Sequence, residues 1–342
     1  MSEISQSVAA THHAKPIARA DRTGQWLQMG ALLIIIAVLA VFALLSPIFL
    51  TLGNLGNVLQ QTIVTGTLAF GLTLVLIGGG SHSVTGGIDL SVAANLGLCG
   101  AVFATQISQG SSIGSAVLLA LFTGAALGLL NAFAVVWLRI LPLLATLTTM
   151  NIAIGLEMVL TQNSTVPVSG PLFDLLLGNG PLNLPWLAWA FAALALFFGL
   201  LVHFTRFGLR LQAVGSHPIA ARAQGLSVAF YLSASYVLCG VAAGIASLAS
   251  VSLLSGSSPG ANDNLLIVIA SVLLGVIFSR RLIPTIGGTL ISALFLSLIA
   301  NGFQLINVSS YWINGVEGVL ILLVVSLTAL LRQRQQRRKV RV

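Results

Sequence analysis

The chain has 342 residues, of which 57% are hydrophobic and only 6% charged, against roughly a quarter charged in a soluble domain. Mean hydropathy is +1.02 and the formal net charge is +8. This balance excludes a secreted disulfide scaffold, a disordered chain and a typical soluble enzyme, and leaves a polytopic membrane protein read by its apolar runs.

Residues 1–26 form a polar tail carrying His12, His13, Lys15, Arg19 and Arg22. The apolar run behind it is longer than a signal h-region, so it reads as a retained anchor. It is the first of ten apolar segments, at about 27–49, 57–78, 89–108, 113–138, 141–161, 184–204, 228–251, 264–279, 283–305 and 312–331. Each is near the ~20 residues that cross ~30 Å of hydrocarbon. The expected fold is therefore all-α and polytopic, with about ten transmembrane helices filling a membrane domain over 27–331 and a basic tail at 332–342.

Between spans two and three, Gly78–Ile88 reads Gly-Gly-Gly-Ser-His-Ser-Val-Thr-Gly-Gly-Ile. It is either a cytoplasmic turn or an unwound stretch dipping into the protein, where irregular backbone must be covered by protein or a water cavity. Asp89 opens span three, where a carboxylate caps free N–H groups or serves a functional path. Asn131, Asn151 and Glu157 interrupt spans four and five, Asn301 and Phe303 lie in span nine, and Glu317 lies in span ten. Polar groups at such depth are costly and therefore candidates for function. The competing role is a hydrogen bond between helices. We assign Asp89, Asn131, Asn151, Glu157, Asn301 and Phe303 to a translocation pathway. Neutral amides beside an aromatic suit an uncharged polyhydroxylated ligand better than an ion. Cys99 and Cys239 have no metal-ligand spacing and read as packing.

Segment 162–183, with Pro167, Pro171 and Pro181, reads as a structured loop outside the spans. The longest break on the other side is 205–227. Pro218 suits the first turn of a short helix and Gly225 its end, so residues 218–224 form a helical patch suited to docking another protein. An internal echo joins Leu129-Leu130-Asn131-Ala132-Phe133 to Ile299-Ala300-Asn301-Gly302-Phe303. The two stretches run in opposite directions through the membrane, as an inverted repeat of spans 2–5 and 7–10 requires.

Charge orients the spans. With the N-terminus inside, all fifteen Lys and Arg fall on inside segments, and the outside loops hold Asp174 and Asp263 with no basic residue. Positive residues mark the cytoplasmic side, so both termini are expected there. No basic face with interleaved aromatics exists, which argues against nucleic-acid binding. The only lysines, Lys15 and Lys339, lie outside any P-loop pattern, so the chain holds no Walker-type ATP site of its own, and any ATP energy would have to come from another subunit. Nor is there a Ser/His/Asp or HExxH arrangement for a membrane-embedded enzyme.

Segment 205–227 resembles the coupling loop of ABC-importer permeases, and most closely that of the ribose/xylose/arabinose/galactose branch. Gly86-Gly87-Ile88-Asp89-Leu90-Ser91-Val92 looks like that branch's GGIDLSVG. Leu141–Met150 looks like its P-x-x-A-T-L-G-T-M element, and Gly288-Thr289-Leu290-Ile291, Asn301-Gly302 and Val308–Trp312 look like its closing run. The chain departs from the branch at Gly78–Ser83, which looks inserted, at 276–285, where expected glycines are missing, and at Ser216-His217 in place of Gly-Asn. The resemblance implies a permease subunit importing a monosaccharide or similar small polyol across the bacterial inner membrane, with no cofactor of its own. It implies an ATP-binding cassette subunit on the cytoplasmic side, a periplasmic sugar-binding protein outside, a second permease subunit (identical or paralogous) and surrounding membrane lipid. Gly215, Ala220, Ala221, Arg222 and Gly225 are then the residues that couple the permease to the ATPase. The alternative is a self-sufficient ion-coupled secondary transporter.

Reporter fusions test the charge argument. Fusions at Asn179 and Asp263 are expected to report the outside, and fusions at Ser216 and after Arg332 the inside. An inside signal at Asp263 would remove the ten-span count.

Overall fold

The computed structural model describes residues 20–80, 87–279 and 283–308, together with isolated positions between 312 and 326. Residues 1–19, the C-terminal tail, His82, Gly86, Arg280, Arg281, Glu317 and most of the tenth apolar segment lie outside the described residues, whereas 20–26, read as tail, begin the first helix.

The apolar runs fold as helices close to their sequence limits. They are α1 (Ala20–Leu45), α2 (Leu52–Gly79), α3 (Val92–Ser108), α4 (Ile113–Ala132), α5 (Pro142–Thr161), α7 (Trp186–His203), α10 (Val228–Leu254), α11 (Leu265–Ile277) and α12 (Ile286–Leu305). Among the described residues, six are long and apolar enough to cross a membrane: α2, α4 with its extension, α5, α7, α10 and α12. Helix starts are set by hydroxyl caps. Thr51, Ser112, Ser227 and Thr285 each accept a main-chain N–H three residues on, satisfying one of the free donors of a first turn. The end of α4 is unusual. Phe133–Trp137 forms a π-helix, closed by the Leu138 N–H donating to the Phe133 carbonyl, and Arg139 then takes a left-handed φ of 58° before α5 begins.

Two helices organise the bundle. The 28 residues of α2 span about 42 Å, and the helix is buried along most of its length. Beside it, α10 packs on α4 by main chain rather than by side chains. A Cβ on Gly240 would overlap the Gly124 carbonyl oxygen, and one on Gly124 would overlap that of Gly240. Gly128 meets Tyr236 and Gly244 meets Leu121 in the same antiparallel register. Each helix thus presents a G-x-x-x-G face, which lets backbones approach where lipid gives helix association no hydrophobic drive. On its other side α10 meets α2, where a Cβ on Gly71 would lie 2.8 Å from Ala242 Cβ. Hydroxyls of Thr73 and Thr289 pair at 2.8 Å to tie α2 to α12.

The loops hold more structure than the apolar runs foretold. The 162–183 segment contains β1 (Val166–Pro167), the short helix α6 (Pro171–Leu177) and a 3₁₀ turn at Pro181–Asn183. β1 pairs antiparallel with β2 (Gly256–Ser257), which follows α10. Two loops read from charge as outside are therefore joined at one end of the bundle. In 205–227 there are two helices, α8 (Arg206–Ser216) and α9 (Pro218–Ala223), where the sequence suggested only the second.

Replacing Gly240 by alanine is expected to cost about 1–3 kcal/mol through overpacking. The readout is a lowered melting temperature of the detergent-purified chain. Gly155, with open space around it, is the control position, and its alanine variant is expected to melt like the parent.

Candidate functional site

The described intramembrane polar residues fall into separate clusters. The first surrounds Asp89. After α2 the chain returns along that helix's last turns, and a Cβ on Gly87 would lie 2.9 Å from the Val75 carbonyl oxygen. Segment 87–91 is therefore irregular backbone within the bundle, covered by protein as such backbone must be. Asp89 is 2% exposed. Its Oδ1 accepts the Ser91 N–H at 2.9 Å, the Ser91 hydroxyl at 2.6 Å and the Asn131 amide at 3.2 Å. The Asn131 amide also donates to Ser91 Oγ at 2.8 Å, and the Cys239 thiol of α10 faces the carboxylate. Thr146 of α5 donates to the Ile88 carbonyl at 3.5 Å. One short segment thus binds α3, α4, α5 and α10 together. Asn95 extends this polar track along α3, donating to the Gly124 carbonyl at 3.2 Å and accepting from Cys99.

The second cluster lies at the corner of α1, α2 and α12. Asn301 and Asn54 exchange amide hydrogen bonds at 2.8 and 3.1 Å, and Asn54 also donates to the Phe49 carbonyl. Phe303 packs edge-on against Phe42, with ring centroids 5.2 Å apart. Asn301 is buried and satisfied within the chain, and Phe303 is half-buried in an aromatic corner.

Glu157 and Asn151 stand apart from both clusters and from each other. Glu157 is 3% exposed and its carboxylate lies against Gly97 of α3, so close that a Cβ there would come within 2.6 Å of Oε2. Its Oε1 has no hydrogen-bond partner among the described residues. Asn151 is exposed on the opposite side of α5 and folds its amide back onto the Leu147 carbonyl at 2.9 Å. Thr148, also exposed, precedes it on that face and donates to the Leu144 carbonyl. The six pathway residues of the sequence reading therefore do not converge on one site. Among the described residues, no three His, Cys, Asp or Glu side chains come together as metal ligands.

The 205–227 surface divides into inward and outward residues. Gly215 is pressed against the end of α2, and Ala221 is buried at 4% exposure in the core that also holds Leu211 and Val214. Ala220, Arg222 and Gly225 are exposed, and Gly225 ends α9 with a left-handed φ of 81°. Ile219 is 85% exposed on the same short helix. It is an apolar anchor that the sequence reading passed over, although an isoleucine directly after the helix-opening Pro218 was the available signal. Arg206, Arg210 and Arg222 are all exposed, and 205–227 contains no acidic residue. This surface is basic, with Ile219 and Leu209 as its exposed apolar residues.

A family model described as a branched-chain amino acid transport system / permease component matches residues 54–325. The chain belongs to this permease family. The match opens at Asn54, in the first turn of α2, and leaves α1 outside. The permease is 36% identical over 309 residues to the ribose import permease protein RbsC of Escherichia coli (strain K12), a match covering 89% of this chain and 94% of the relative. It is 30% identical over 325 residues to the L-arabinose ABC transporter permease protein AraH of Azospirillum brasilense, covering 94% and 93%. It is 31% identical over 309 residues to the autoinducer 2 import system permease protein LsrD of Klebsiella pneumoniae subsp. pneumoniae, covering 87% and 90%. No solved structure matches the chain. The permease is thus a multi-pass membrane transport subunit and not an enzyme, in agreement with the resemblance carried by its motifs.

Asp89→Ala would leave three buried donors without their acceptor. A buried donor left unsatisfied costs about 1–3 kcal/mol, so the permease is expected to lose about 3 kcal/mol or more of stability. Asp89→Asn keeps one acceptor oxygen and is expected to lose less. Thermal unfolding of both variants in detergent checks the order, and parent-like melting of Asp89→Ala would show that this cluster does not hold the bundle.

Proposed function

We propose that the chain is the membrane-spanning subunit of an ABC importer for a monosaccharide or similar small polyol. The observation that carries this reading is the family match through residues 54–325, supported by relatives named for ribose, L-arabinose and autoinducer 2 import. The fold proposed is ten spans with both termini cytoplasmic and spans 2–5 and 7–10 related by inversion. The pairing of β1 with β2 supports an even number of crossings between those two loops. The domain division follows the sequence reading, with tails at 1–26 and 332–342 around a permease domain over 27–331. The protein sits in the bacterial inner membrane, and ATP is bound by a separate subunit.

The route for the solute runs between two permease subunits along the open face of α5. Asn151 and Thr148 are polar groups on an exposed face of an apolar helix, where lipid offers them no partner. A second permease copy, with water and solute between the two, removes that cost. Asp89 and Asn131 brace the bundle behind α5, Asn301 and Phe303 lie at the α1–α2–α12 corner away from this route, and Glu157 lies on α5 with its carboxylate turned to Gly97 of α3. A periplasmic binding protein delivers the sugar at the end where β1 and β2 lie.

The ATP-binding subunit docks on α9 and its flanks. Ile219 supplies an apolar anchor, Ala220 a close approach, and Arg222, with Arg206 and Arg210, charge for carboxylates of the partner. Truncating a buried interfacial charge pair costs about 2–5 kcal/mol. Arg222→Glu is therefore expected to leave the protein inserted while abolishing uptake and loosening the ATPase. Cysteine at Ala220 is expected to cross-link to the ATP-binding subunit. Absence of that cross-link while uptake remains ATP-dependent would move the docking surface to 280–285. Uptake in vesicles that collapses with ionophores and proceeds without ATP would instead establish the ion-coupled alternative.

Alanine at Asn151 is expected to lower uptake without lowering the amount of folded protein, because its side chain bonds only within its own turn. Alanine at Asn301 is expected to lower folded protein first, because it breaks the pair with Asn54. Expression and uptake measured side by side separate the two.

A further inference from the structure

We propose that α8 and the end of α2 move as one rigid unit, and that the backbone joint between Gly215 and Ile77–Gly80 carries motion of the docking surface to the buried segment 87–91. The inference rests on the reading that 205–227 receives an ATP-driven partner, and it assigns the residues that pass the motion on.

The joint is made of main chain. A Cβ on Gly215 would overlap the Ile77 carbonyl oxygen. In return, Gly80 turns with φ of 79°, and a Cβ there would stand 2.5 Å from the Gly215 carbonyl oxygen. The opposite end of α8 is held the same way, since a Cβ on Gly208 would overlap the Val202 carbonyl near the end of α7. Between these two points Leu211 and Val214 are 0% and 1% exposed. Leu211 fills the space beside Gly78, where a Cβ would come within 2.9 Å of Leu211 Cδ1. A side-chain contact can absorb a displacement by changing rotamer. A backbone contact has no rotamer to change, and close-packed interiors transmit strain.

α9 is attached differently. Ala221 is its only buried residue among those described, and α9 meets α8 at His217. It can tilt with a partner, whereas α8 cannot shift without α2. Motion that reaches α8 arrives at Ile77–Gly80, and the same turns of α2 carry Gly87, which sits against Val75 and Gly79. Two residues further on is Asp89, bonded to α3 and α4 through Ser91 and Asn131. The path from the docking surface to the intramembrane cluster is therefore continuous through α8, the end of α2 and segment 87–91.

The test uses the complete transporter in vesicles, with its ATP-binding subunit and binding protein. Gly78→Cys is combined with Leu211→Cys, which removes the Leu211 atom that the new Cβ would strike. Oxidation is expected to cross-link α2 to α8 and leave ATP-driven uptake within about twofold of the reduced protein, since elements that never separate tolerate a bond. A loss of uptake of about tenfold or more, reversed by reductant, would overturn the proposal by showing that the two helices part during the cycle. Gly215→Ala, recovered as inserted protein, is expected to keep ATP hydrolysis while losing uptake; normal uptake by this variant would also overturn it. Uptake by the unmodified transporter that needs no ATP would remove the docking reading itself, an outcome distinct from either failure of the joint.

Discussion

Where the main chain of α10 touches that of α4, every other feature of the bundle takes its position. Lipid tails are as apolar as leucine, so burying apolar side chains does not press helices together in a membrane. Dispersion and backbone proximity must do so. Gly124, Gly128, Gly240 and Gly244 provide that proximity. Their register places Tyr236 and Cys239 beside the start of α3, and it brings Asn131 of α4 opposite Ser91. A helix pair held at ordinary side-chain spacing would leave a gap at the level of Asp89, and the irregular segment 87–91 would lose its cover.

The same dry interior explains the pairing of polar groups. Asp89, Asn131, Asn95, Asn54 and Asn301 each bond to a neighbour on another element or at the foot of their own. These residues specify which helices meet and at what height. Among the described residues Glu157 Oε1 lacks a partner, as do Asn131 Oδ1 and the Tyr236 hydroxyl, and Asn151 bonds only to its own turn.

Much of the architecture was legible in the sequence. Helix limits lie within a few residues of the apolar runs because hydrophobic length is set directly by bilayer thickness. Prolines and hydroxyl residues mark the starts, as at Pro142, Pro218 and Thr285. The reading of 205–227 found α9 and missed α8, because Gly208 and Gly215 look like helix breakers when they are in fact points of backbone contact. The π-helix at Phe133–Trp137 left no compositional mark. The intramembrane residues were recognised by polarity, but polarity does not say which way a helix is turned. A rotation of 100° per residue separates Asn151 on an open face from Ala153 in the core. Only the assembled bundle distinguishes a side chain satisfied by its neighbours from one that is not.

The short ladder between Val166–Pro167 and Gly256–Ser257 carries a consequence for biogenesis. Its first strand leaves the ribosome well before its second, and all of α6 to α10 separates them. The pairing cannot close until α10, which lies between the two strands, has been made. Until then the edge of β1 stays unpaired. Closure of the ladder thus requires α6 to α10 to be in place, and a chain that stops before α10 keeps the edge of β1 unpaired.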